Sequence, residues 1–233
     1  MTKALIVSLG LNVELPAGTF SHTALWWLDA LYALALLAAL RMARWRWLRD
    51  PQKLHVFLGA TLAIIALWHI RAQIGSTAAF HLLGVTALTL MFGWSFAILS
   101  AALALAALTL NGRAEWEMFG VNSLILAVIP VTLSQISLVV VRSRLPKNFF
   151  IFVLGNGFFT AGLATFITLH VGAWLLGASG SMAHEKVSEV YVPFFPLLSL
   201  PEAFINGWVI TVLVSFRPEW VYSFSDELYI KGK

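Results

Sequence analysis

Cysteine is absent from the 233 residues. That removes disulfides, thiolate metal sites and iron–sulfur ligation together. Histidine, carboxylates, methionine and backbone groups remain as candidate ligands. Charge is scarce too: Asp, Glu, Lys and Arg make up 11% of the chain, against about a quarter of a soluble domain. The sequence contains no Walker motif, dinucleotide loop or nucleophile elbow, so the chain does not hydrolyse ATP by itself and gives no sign of being an enzyme. Its longest polar stretches are about 15 to 20 residues, a loop length, which leaves no room for a second, soluble domain. Residues 1–13 lack a small-residue cleavage pattern before Glu14, so they read as an interfacial lead-in and not as a secretory signal.

What is present is apolar. Hydrophobic residues make up 60% of the chain, in runs of about 17 to 30 that are long enough to cross a ~30 Å hydrocarbon core. The fold class that follows is all-α, a polytopic membrane protein forming one transmembrane domain over 1–233. Seven transmembrane helices are expected, at about 23–42, 54–70, 81–92, 94–110, 121–141, 148–176 and 200–216. The 30-residue run 81–110 is split at Gly93, and Pro130 is expected to kink the fifth helix. With the N-terminus outside, eleven Lys and Arg fall on inside segments (Arg41, Arg44, Arg46, Arg49, Lys53, Arg142, Arg144, Lys147, Arg217, Lys231, Lys233). Four fall outside (Lys3, Arg71, Arg113, Lys186). This bias sets 1–22 as an outer-face segment, 23–216 as the helical bundle and 217–233 as a cytoplasmic tail. The net charge of +4 then marks a membrane face facing lipid headgroups and gives no reason to expect nucleic acid.

The candidate functional residues gather at the outer face. His81 opens the third helix after a polar break, His69 ends the second, and His22 leads the first; His184 lies in the last outer loop. Neutral imidazole suits late first-row metals, although a histidine at headgroup level has a simpler explanation, and no pair has an HxxxH spacing. Asp29, one to two turns inside the first helix, is a functional candidate because a carboxylate near lipid is costly. Glu202 follows Pro201 and suits the N-terminal dipole of the last helix. Asn122 and Asn206 are expected to make interhelical hydrogen bonds. The stretch VELPAGTFSH, 13–22, adds Glu14 and a turn at Pro16 and Gly18. Alanines 30, 33, 35, 38 and 39 give the first helix a small-residue stripe, which serves either another membrane subunit or a neighbouring helix.

Four segments, ELPAGTFS (14–21), FHLLGVTALTLMFGW (80–94), EMFGVNSLILAVIP (117–130) and PEAFINGWVITVLVSFRPEWV (201–221), resemble successive segments of the CbiM/NikM family. These are the substrate-specific membrane components of energy-coupling-factor cobalt and nickel importers. The counterparts here are His81-Leu82-Leu83-Gly84, Phe119-Gly120-Val121-Asn122 and Arg217-Pro218-Glu219. The resemblance implies a divalent transition metal (Co, Ni, Cu or Zn) as cargo, ATPase and transmembrane coupling subunits as partners, and a prokaryotic inner membrane. It carries over His81 as a ligand. The family's other ligands are a free amino terminus and the histidine after it, and here Val13 and Glu14 stand in their places. The expected site is therefore altered: His81 with Glu14, completed by His22 or His69. The alternative is an accessory subunit of a larger membrane complex that keeps the fold and has lost the metal.

Overall fold

The computed structural model describes residues 15, 17–70, 72–74, 78–80, 82–180 and 183–230. Helix α1 runs His22–Met42. Ser21 is its N-cap, its hydroxyl accepting from the Ala24 amide at 3.3 Å. A 3-10 turn, Trp45–Arg49, leads into α2, Pro51–His69. Asp50 caps α2 by accepting from the Gln52 amide at 3.0 Å, and Pro51 sits at the first helical position, where its missing N–H costs nothing. A two-stranded antiparallel hairpin follows, β1 Ala72–Ile74 and β2 Ala78–Phe80. The remaining helices are α3 Val85–Phe92, α4 Trp94–Leu110, α5 Trp116–Arg144, α6 Ile151–Ala178, α7 His184–Val190, α8 Phe195–Phe216 and α9 Asp226–Tyr229.

The break expected at Gly93 is present, and its φ of 81° is one that glycine adopts freely. The kink expected at Pro130 is resolved locally. Proline offers no N–H to the carbonyl four residues back, and the turn before it, Leu124–Val128, widens to π geometry. Helix α6 opens in the same wide form over Ile151–Phe159.

Among the described residues, five segments are long and apolar enough to cross a membrane: 22–42, 51–69, 116–144, 151–178 and 184–216. Helix α4 has 17 residues and rises about 25 Å. The expected third span departs from this pattern. Helix α3 has only eight residues, about 12 Å of rise, less than half of a ~30 Å hydrocarbon core. All eight are buried, so α3 is a half-helix enclosed by the bundle and not a span. The last long helix also begins earlier than expected, at Phe195, which leaves Pro201 inside it.

The connections collect at two ends. At one, the basic end, Trp47 meets Phe92 edge-on, Phe149 meets Phe224, and the Arg44 guanidinium lies 4.1 Å above the Tyr222 ring. At the other, the polar end, Asn111 reaches His69 and Ala17 reaches Glu115. The described arginines and lysines assigned to inside segments all lie at the basic end. Between the ends, small residues and hydroxyls join the helices: Gly157 lies against Gly207, Thr61 bonds Ser100 at 2.9 Å, and Thr86 bonds Ser134 at 2.9 Å.

Candidate functional site

The N-terminus of α3 ends inside the bundle, away from water. Unmade hydrogen bonds there cost several kcal/mol each, so its free N–H groups need partners. Helix α8 supplies them from two positions one turn apart. The Leu83 amide donates to Glu202 Oε2 at 2.8 Å and the Gly84 amide to Glu202 Oε1 at 2.6 Å. The Ala87 amide donates to Asn206 Oδ1 at 2.9 Å, and Asn206 Nδ2 donates back to Glu202 Oε1 at 2.8 Å. Glu202 is 2% exposed, and its carboxyl accepts from the Leu83 and Gly84 amides and from Asn206 Nδ2. It therefore caps α3 across the bundle, not its own helix: α8 starts seven residues earlier, at Phe195.

The segment after His81 is fixed from a second side. The buried Trp68 indole N–H donates to the Leu83 carbonyl at 2.9 Å. Gly84 has a φ of 67°, and a Cβ on it would stand 2.7 Å from Ile64 Cδ1. Only glycine meets both demands. His81 itself lies outside the described residues; Leu83 and Gly84, two and three positions on, are held by Glu202 and Trp68.

The N-terminal segment is held by main-chain recognition. Asn122 Oδ1 accepts from the Leu15 amide at 2.7 Å and its Nδ2 donates to the Leu15 carbonyl at 3.2 Å, as a neighbouring strand would. Glu115 accepts from the Ala17 amide at 2.7 Å. Leu15 packs with Leu25, Met118, Val121 and Ile125. Gly18 turns the chain with a φ of 73°, and Ser21 then starts α1. Glu14 and Pro16 lie outside the described residues. Asn122 thus bonds the entering chain and not a neighbouring helix.

The remaining candidates are placed as follows. His22 is exposed at the first turn of α1. His69 uses both ring nitrogens: Nδ1 bonds the Ile65 carbonyl at 2.7 Å and Nε2 bonds the Asn111 amide nitrogen at 3.2 Å. These bonds tie α2 to the α4–α5 connection. Asp29 is half-buried, and its Oδ1 fills the space where Gly120 lacks a Cβ, so it marks the α1–α5 contact. His184 covers Gly177 in the same way. Among the described residues no three His, Asp or Glu group as a metal site. Glu115 and Trp68 were not anticipated. Glu115 lies in the polar loop 111–120, where a carboxylate reads as solvated charge, and Trp68 reads as an interfacial aromatic.

The fold has solved relatives. A structure titled a truncated transition metal transporter superposes with a TM-score of 0.74 at 18% identity, covering 87% of this chain and 98% of that one. A second, titled a transition metal transporter, gives 0.69 at 17% identity over 87% and 92%. At such identity the likeness is one of fold. A search of curated proteins found no match. Residues 14–220 match the family described as the cobalt uptake substrate-specific transmembrane region. The match begins at Glu14 and takes in both clamped segments and the capped half-helix: the chain belongs to the CbiM family.

Proposed function

We propose that this protein is the substrate-binding membrane component of a divalent transition-metal importer, with the metal taken at the polar end by Glu14 and His81. One observation carries the reading: each candidate ligand is followed at once by a clamp on the main chain. Leu15, after Glu14, is held by Asn122, and Leu83 and Gly84, two and three residues after His81, are held by Glu202 and Trp68. Ligand positions fixed by a second layer of hydrogen bonds are what metal affinity requires. A carboxylate with an imidazole suits Co, Ni, Cu or Zn and departs from an all-nitrogen set. His22, exposed at the first turn of α1, or His69, whose Nδ1 is oriented by the Ile65 carbonyl, completes the site.

The charge bias supports an outer-facing polar end, a cytoplasmic basic end and a prokaryotic inner membrane. The chain carries no ATP-hydrolysing motif, so import would draw on ATPase and transmembrane coupling subunits. Calorimetric titration of the purified protein with Co, Ni, Cu and Zn, with elemental analysis, tests the reading. Wild type is expected to bind one equivalent, Glu14→Ala and His81→Ala to lose it, and Asn122→Ala to bind about tenfold more weakly, as outer-shell changes do. A wild type that binds none of the four, or two ligand variants that bind like wild type, would overturn it and leave the accessory-subunit reading.

A further inference from the structure

A groove of about 390 Å³ runs between α1 and α4, walled chiefly by Tyr32, Leu36, Leu40, Trp45, Phe96 and Leu99. Its lining is almost wholly apolar, and it starts at the middle of α1 and ends at the α1–α2 connection. The ten residue steps from Tyr32 to Met42 rise about 15 Å, the depth of one leaflet in a ~30 Å core. The groove is preformed. The Trp45 indole donates to the Leu40 carbonyl at 2.9 Å and its ring meets Phe96 edge-on at 5.8 Å, so the wall at the mouth is fixed.

Arginines predominate at that mouth. Arg41 lies in the last turn of α1, and Arg46 and Arg49 share one face of the 3-10 turn, adjacent to the face that lines the groove with Trp45 and Leu48. All three are exposed, and among the described residues none is paired. The nearby acids are paired with other bases: Asp50 with Lys53 at 3.4 Å, and Glu219, which lies across a small cavity from Trp47 and Lys53, with Arg217 at 3.6 Å. An apolar slot one leaflet deep, topped by unpaired arginines, fits a lipid with a long acyl chain and a negative headgroup.

We infer that the groove is a binding site for an anionic phospholipid of the leaflet at the basic end. One acyl chain lies between α1 and α4, and the headgroup phosphate rests on Arg41, Arg46 and Arg49. The site is independent of the metal reading and is tested without metal. Protein exchanged into bilayers of phosphatidylglycerol or of phosphatidylcholine with the same chains is stripped by detergent washes and weighed by native mass spectrometry. Wild type is expected to retain one phosphatidylglycerol at least about fivefold more than phosphatidylcholine. The triple variant R41Q/R46Q/R49Q, altered only at exposed positions, loses the preference. Leu36→Trp fills the slot, keeps the arginines and loses both lipids. Equal retention of the two lipids by wild type would overturn the inference. So would wild-type retention in either variant, or a disulfide between two copies carrying Leu99→Cys, which would put a second chain in the groove.

Discussion

Both ends of α3 are held by residues more than a hundred positions downstream, but by different chemistry. At its N-terminus the partners are side chains: the Glu202 carboxyl and the Asn206 amide take three backbone N–H groups between them. At its C-terminus the partners are mostly main chain. The Tyr222 amide donates to the Met91 carbonyl at 3.0 Å and the Ser223 amide to the Leu90 carbonyl at 3.1 Å. Arg142 steadies that tail by donating to the Ser223 carbonyl at 2.5 Å, and Phe224 packs between Phe152 and Tyr229. A side-chain cap rests on one or two residue identities. A main-chain cap rests on the path of the chain and tolerates most substitutions. The end beside the candidate metal site is therefore the more exposed to single changes.

Three substitutions separate the two ends. Glu202→Ala strands two buried donors, the Leu83 and Gly84 amides, at about 1–3 kcal/mol each, and takes from Asn206 Nδ2 one of its two acceptors, leaving it the Glu202 backbone carbonyl. Thermal unfolding in detergent is expected to fall by roughly 10 °C or more. Glu202→Gln keeps one acceptor and should recover part of that loss, and a change within about 2 °C for the alanine variant would remove the cap's importance. Gly84→Ala comes second. It forces a side chain to a φ of 67° and against Ile64, at about 2 kcal/mol and near 5 °C. Ser223→Ala should have the smallest effect. It deletes the hydroxyl bond to Leu90 at 2.8 Å but leaves the Ser223 amide on the same carbonyl. The cost is about 0.5–1 kcal/mol, near 2 °C. If Ser223→Ala proved as damaging as Glu202→Ala, the contrast between the ends would fail.

Much of this was legible in the residues, and the reason for each failure is specific. Long apolar runs give helices because in lipid every backbone group must bond within the chain. The break in the 81–110 run shows as Gly93. The length of α3 does not show, because a half-helix buried in protein and a helix facing lipid are equally apolar. Glu202 next to Pro201 reads as a helix start, yet the spacing to Asn206 was the better signal: two polar residues four apart in an apolar helix share a face, and that face seeks donors. The tie from His69 to Asn111 is not legible either, because sequence shows a histidine's presence and not its bonds. The clamps on Leu15 and Ala17 join residues 107 and 98 positions apart, and no local pattern announces them.

The capping of α3 also bears on the order in which the protein is made. Glu202 lies 118 residues beyond Gly84, and at 5–20 residues per second a ribosome needs roughly 6 to 24 s to reach it. For that interval the eight-residue helix has no cap for its N-terminal amides and is too short to insert as a span of its own. Its caps come from α8 and then the tail, so residues 82–92 cannot gain them before those segments are made, although they are translated before most of the bundle.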